Sequence, residues 1–273
     1  MTPRKTNPAG TLVVIGGHED KKGDRVILKA VASHVGQGRL VVMTVASSQP
    51  EPYFAAYRKV FAELGIGDTC EVYVHERGET ISQELLERFE GATGVFFTGG
   101  DQLRITSQIG DTELEARVRE VFRSGGVVAG TSAGASAMCE TMLVTGSGRE
   151  SYRIGDIRMA PGLGLIQGVI IDQHFAERGR MGRLLGAVAQ NPRLLGIGID
   201  EDTAIVVQGE HFDVIGSGAV TVVDGQGVSR SNVAEARSNT VLSMFDVRLH
   251  VLSSGDSFDL AKRQPVAREQ AEE

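Results

Sequence analysis

The sequence holds only two cysteines, Cys70 and Cys139, among 273 residues. They stand far apart and without the paired spacing of a zinc or redox motif. A disulfide scaffold and a cysteine-held metal are therefore excluded, and buried free thiols are expected. There is no basic surplus either. Twenty-eight Lys and Arg face 35 Asp and Glu, for a formal charge of −7, so nucleic acid is not expected as the main partner. No run approaches the ~18 consecutive apolar residues of a membrane helix, so no membrane association is expected. The basic opening MTPRKTNPAG has no apolar stretch of signal-peptide type behind it, because the run at 11–15 is too short. These absences lead us to expect a cytoplasmic protein. Internal repeats and dividing linkers are missing too, which predicts a single α/β domain over residues 1–273. Its ordered core should run from about 10 to 260, with residues 1–9 and the polar tail from about Ala261 frayed.

What is present is alternation. Apolar, β-branched runs occur at 11–15, 40–45, 71–74, 94–97 and 127–129. Segments of helical character lie between them at 24–35, 53–64, 81–89 and 112–123, the last with Leu114, Val118, Val121 and Phe122 at roughly helical spacing. Continuous apolar strands alternating with helices predict a mostly parallel sheet with helices on both faces. From about Asp200 the texture changes to short strands joined by turns, AIVVQ, HFDVIG, AVTVVDG and VLSMFDVRLHVL. An antiparallel extension of the same sheet is expected there.

In open parallel sheets ligands bind at the carboxyl ends of strands. Four loops at such ends are loaded with polar and small residues: GGHEDKKG (16–23), ASSQPEP (46–52), TGGDQ (98–102) and GTSAG (130–134). The first is neither G-x-G-x-x-G nor a Walker loop, so no dinucleotide or nucleoside triphosphate is expected. The last carries G-x-S-x-G between an apolar strand and a helical run, the pattern of a nucleophile elbow centred on Ser132. A glycine-rich turn with a serine N-cap has the same composition.

A nucleophilic serine needs a base and a group to orient it. Of the six histidines, His34 falls inside a helical segment, His75 at a strand end, and His211 and His250 in the late strands. His18 follows the first strand and lies near the expected site. His174 is the strongest candidate base. It follows an apolar strand and opens a helical segment, which puts it at the same edge of the sheet as Ser132. The orienting acid has three candidates in GIGIDEDTA, namely Asp200, Glu201 and Asp202, and spacing does not choose among them. Backbone donors for a tetrahedral oxyanion are available at Ala133, just after the serine, and at Gly99 or Gly100 in a neighbouring loop.

Five stretches together carry a resemblance: VIGGHEDK, FFTGGDQLRI, GTSAGASAM, DQHFAERGRMGRLL and GIGIDEDTA. The chain resembles the cyanophycinases, relatives of peptidase E with the flavodoxin-like, class I glutamine amidotransferase-like architecture. The DQHF–RGR–GRL block is the most specific piece, since peptidase E itself lacks it. The resemblance implies Ser132 as nucleophile, His174 as base and then acid, and Glu201 as orienting acid; in the acyl transfer this sets up, backbone amides near Gly100 and Ala133 are expected to hold the oxyanion. It implies no metal and no cofactor, a homodimer, and cyanophycin as substrate. That polymer has a poly-aspartate backbone with arginine joined to each side-chain carboxyl, and members of the family release β-aspartyl-arginine dipeptides from it. A related exopeptidase acting on aspartyl or isoaspartyl dipeptides is the nearest alternative. Such a unit carries carboxylates and guanidinium groups, which Asp101, Gln102, Asp172, Gln173, Arg178, Arg180 and Arg183 are suited to bind. The three arginines cannot all share one face of a regular helix. The family usually has Ala where this chain has His18. Glutaminase chemistry is not expected, because the elbow holds serine and Cys139 lies about two helical turns further on.

Overall fold

A computed structural model describes residues 10–146, 152–235 and 237–266. The first half alternates as β1 (Thr11–Ile15), α1 (Val26–Val35), β2 (Arg39–Met43), α2 (Pro50–Glu63), β3 (Thr69–Val72), α3 (Gln83–Glu87) and β4 (Ala92–Phe97). It continues through α4 (Gln102–Ile109), α5 (Glu113–Arg123), β5 (Val127–Thr131) and α6 (Ala133–Ala137). A short antiparallel pair, β6 (Thr141–Thr145) and β7 (Arg158–Pro161), leads into β8 (Val169–Gln173), α7 (Met181–Gln190) and β9 (Leu195–Ile199). The late strands are β10 (Thr203–Gln208), β11 (His211–Gly216), β12 (Val220–Asp224), β13 (Arg230–Ser231), β14 (Met244–Phe245), β15 (Arg248–Leu252), β16 (Ser257–Asp259) and β17 (Gln264–Val266).

Nine strands form the main sheet in the order β17-β16-β11-β10-β1-β5-β4-β2-β3. From β1 to β3 the pairings are parallel, and from β1 outward to β17 they are antiparallel. The predicted parallel sheet and its antiparallel extension are both there. One part of the expectation needs correction. β12 and β15 do not extend this sheet but join β9 and β8 in a second one, ordered β15-β12-β9-β8. Alternation within β1 shows why two layers are needed. Val13 and Ile15 face the cluster covered by α1 and α2, while Leu12 and Val14 face a cluster shared with Ile171, Ile197 and Val222 of the second sheet. Burial of each such side chain contributes roughly 1.5–3 kcal/mol, so a strand apolar on both faces requires a cover on both. α7 closes the outer side of the second sheet through Leu184 and Val188 against Ile170 and Val223.

α4 was not expected. It is short and polar, but Asp101 accepts from the Leu103 amide as its N-cap, and Ile105 and Ile109 bury one stripe. The tail also differs from the reading of a frayed end at Ala261, because β17 pairs with β16. Residues 1–9 lie outside the described residues. Cys139 is buried, with its thiol pushed up to about 12 by burial, and Cys70 is half-buried; both are free.

Candidate active site

Ser132 leaves β5 in a conformation that ordinary residues avoid, φ 53° and ψ −109°. The turn is tight enough to require both glycines of the motif. A Cβ on Gly130 would meet the Gly134 backbone at 2.7 Å, and one on Gly134 would meet the Phe97 carbonyl oxygen at 2.6 Å. The serine is fixed from behind by its own amide, which donates to the Ile15 carbonyl at 3.0 Å. Its hydroxyl then lies 2.9 Å from His174 Nε2.

His174 follows β8, so it reaches Ser132 from the second sheet and not from another strand of the same one. Its amide donates to the Gly16 carbonyl at 2.8 Å, which locks the end of β8 onto the loop after β1. Nδ1 lies 2.6 Å from Glu201 Oε1. A carboxylate only accepts, so Nδ1 carries the proton and Nε2 is free to accept from the serine. Burial pushes the imidazole below its ordinary pKa; the hydrogen bond to Glu201 opposes this and the Arg178 charge reinforces it. Burial alone would raise the Glu201 carboxyl, but hydrogen bonds from His174 and His18 outweigh it, and the net direction is down.

Glu201 stands in the turn by which the chain crosses from β9 in the second sheet to β10 in the first. Its two neighbours are occupied with that turn. Asp200 accepts from the amides of Ala176 and Ala219, and Asp202 accepts from the Asp20 amide and the Ser217 hydroxyl. Geometry thus distinguishes the three carboxylates that spacing left equivalent. His18 closes the group from the other side, with Nδ1 at 2.8 Å from Glu201 Oε2 and its ring edge-on to His174 at 5.1 Å between centroids. His18, Ser132, His174 and Asp202 all have φ between 47° and 53°. Four strained non-glycine residues converge on one small volume, which is where backbone strain clusters when it has a use.

The cleft beside Ser132 encloses about 330 Å³ and is bordered by His18, Tyr53, Gly99, Gly100 and Arg178. Of the expected substrate-binding side chains, Arg178 alone borders it. Asp172 is fully buried and receives Arg183 through Nε at 2.8 Å and a second, shorter contact from Nη2, with Arg180 Nη1 at 3.2 Å. Gln173 Oε1 accepts from Arg180 at 3.0 Å. These four groups satisfy one another instead of pointing into the cleft. Asp101 is the cap of α4, and Gln102 Nε2 donates to the Leu143 carbonyl at 2.8 Å.

Sequence reasoning did not single out Glu19. Its side chain is 1% exposed under the floor of the cleft and accepts from Tyr57 at 2.5 Å, Thr131 at 2.6 Å and Lys21 at 2.6 Å. Burial and the adjacent carboxylate hold the Tyr57 hydroxyl well above its ordinary pKa. The loaded loop 16–23 was the only signal for this network. Asp20 orders the same loop by accepting from the amides of Lys22, Gly23 and Arg25, which lower its carboxyl to about 2.

A serine–histidine–carboxylate arrangement recurs on unrelated folds, so comparison with known proteins decides the family. Residues 12–215 match peptidase family S51. The chain belongs to that family. It is 40% identical over 261 residues to a cyanophycinase of Geminocystis herdmanii, covering 94% of this chain and 96% of that one. The cyanophycinase of Trichormus variabilis is 40% identical over 266 residues, 96% of this chain and 89% of its own. Among solved structures, a peptidase from an acI-B1 actinobacterium superposes with a TM-score of 0.69 over 93% of this chain and 98% of its own, at 21% identity. A putative peptidase E from Listeria monocytogenes gives 0.53 over 77% of this chain and all of its own, at 14% identity. At those identities the structural likeness speaks for the fold alone.

Proposed function

We infer that this chain is a cyanophycinase, a serine-type exopeptidase that hydrolyses the poly-aspartate backbone of cyanophycin to β-aspartyl-arginine dipeptides. The observation that carries the chemistry is the chain of contacts Ser132 Oγ to His174 Nε2 at 2.9 Å and His174 Nδ1 to Glu201 at 2.6 Å. The substrate follows from 40% identity to cyanophycinases across nearly the whole chain.

In this reading Ser132 attacks the backbone carbonyl carbon of an aspartyl unit, and its proton passes to His174 Nε2. Glu201 holds the imidazole in the tautomer that can receive it and stabilises the imidazolium. The oxyanion is held by the amide of Ala133, the first residue of α6, whose N–H has no acceptor within the helix, and by that of Gly100 across the cleft. His174 protonates the leaving amine, then draws a proton from water to release the acyl group. Arg178, exposed on the rim, meets a substrate carboxylate. The remaining predicted side chains act through the scaffold: Asp172, Gln173, Arg180 and Arg183 pair with one another in the segment that carries Arg178, and Asp101 and Gln102 fix the start of α4. No step needs a metal or organic cofactor. We place the enzyme in the cytoplasm as one domain that pairs into a homodimer through the edge strand β15, where Leu249 and Val251 are exposed. Light scattering on the purified protein tests the dimer.

The decisive experiment incubates the protein with insoluble cyanophycin and identifies products by mass, with Ser132→Ala alongside. Release of β-aspartyl-arginine by the parent and not by the variant, which should lose nearly all turnover, is the expected result. Equal clearing by the variant would remove Ser132 from the mechanism. No clearing by either, with Ser132 still labelled by a serine-directed probe, would move the substrate to small aspartyl peptides.

A further inference from the structure

Proton transfer between Ser132, His174 and Glu201 does not require His18. Yet His18 Nδ1 sits 2.8 Å from one oxygen of Glu201 while His174 Nδ1 sits 2.6 Å from the other. One donor atom from each of the three lies within 4.8 Å of the others. We propose that His18, His174 and Glu201 form an inhibitory binding site for a zinc-like divalent cation.

Two imidazoles and a carboxylate are a ligand set suited to zinc and its transition-metal neighbours, and poorly suited to magnesium or calcium, which prefer oxygen. Ligand bonds of about 2.1 Å in a tetrahedral arrangement put donor atoms roughly 3.4 Å apart. The two nitrogen–oxygen separations of 2.6 and 2.8 Å must therefore open by under an ångström, as the carboxylate steps back to admit the ion. Access is direct, because the His18 side chain is 73% exposed at the cleft mouth, and water completes the coordination. The Arg178 charge opposes a cation here, and the Glu201 carboxylate favours it. A metal on His174 Nδ1 moves the imidazole proton to Nε2. The ring then has no lone pair facing the serine and cannot act as base. The inhibitory consequence rests on the peptidase reading above, whereas the coordination itself does not.

Cobalt separates the two questions, because its visible absorption reports nitrogen and oxygen ligation without any turnover. Ser132→Ala protein titrated with Co²⁺ should develop a ligand-field band that Zn²⁺ displaces and Mg²⁺ does not. Adding His18→Asn should abolish the band or weaken binding at least about tenfold. Asn suits this position because it tolerates the left-handed backbone of His18, φ 48°. With Ser132 intact, Zn²⁺ should slow labelling by a serine-directed probe, EDTA should restore it, and His18→Asn should need at least about tenfold more metal for half-inhibition. A Co²⁺ titration curve that is unchanged by His18→Asn, or the absence of any band, would overturn the site. A band that depends on His18, in a protein whose Ser132 never reacts with the probe, would support the metal site and count against the catalytic reading.

Discussion

Glu201 shows how much depends on one carboxylate shared by two rings. Its hydrogen bond holds the His174 pKa up against burial, so the two effects can be separated by mutation. The base must be neutral to accept the serine proton, and kcat/KM should therefore rise with pH through the His174 pKa of the free enzyme. That midpoint should lie below the ordinary imidazole value of about 6.5. Glu201→Gln removes the group that raises it, so the acidic limb should move to still lower pH. The plateau should fall by roughly 10²–10⁴-fold, less than for Ser132→Ala. A pH–rate profile of both proteins checks this, and a shift toward higher pH would refute the assignment. Gly17 is the second telling residue. At φ 111° it has no Cβ, and one placed there would lie 2.3 Å from His174 Cε1. Gly17→Ala must push the imidazole off the serine. It should cost about 10²-fold or more in kcat and about 1–3 kcal/mol of stability, read by turnover and urea melting.

At the scale of the element, the segment from β8 into α7 separates two kinds of arginine. Arg183 and Arg180 converge on the buried Asp172, whereas Arg178 stands on the cleft rim. Asp172→Ala should cost about 3–5 kcal/mol, because it strands buried guanidinium charge. Arg178→Ala should leave stability within about 0.5 kcal/mol and act on KM instead. Paired denaturant melts and kinetics distinguish them, and the reverse pattern would exchange their roles. The sequence made this block conspicuous but could not rank its arginines, because burial depends on a second sheet that no local pattern announced. The strands β1, β4 and β5 and the helices α1, α2 and α5 were legible from continuous apolar runs and helical spacing. The elbow pattern was visible too, but a glycine-rich turn with a serine N-cap has the same composition, and only the other polar stretches around it favoured the nucleophile reading. α4 was hidden because its signal is a cap and two isoleucines. The Glu19 network was hidden because its partners come from α2 and β5, distant in sequence.

For the molecule as a whole, the two sheets are joined differently at their two ends. At the active site a main-chain tie, the His174 amide to the Gly16 carbonyl at 2.8 Å, joins the end of β8 to the end of β1. At the opposite end the tie is one side chain, Arg263, with Nη1 2.8 Å from the buried Asp224 and Nη2 donating to the Arg193 carbonyl. Arg263→Ala should therefore lower stability by about 1–3 kcal/mol while kcat at room temperature stays within about twofold. Denaturant melts and turnover read the two effects separately, and a matched loss of kcat would show that the far end sets the relay. A tie made of main-chain atoms uses no side-chain group, so it survives any substitution nearby that leaves the backbone its room, as Gly16 and Gly17 do here. Mutation can then accumulate across the core between the sheets, at a cost in melting temperature, while the spacing of serine and histidine is inherited through the backbone.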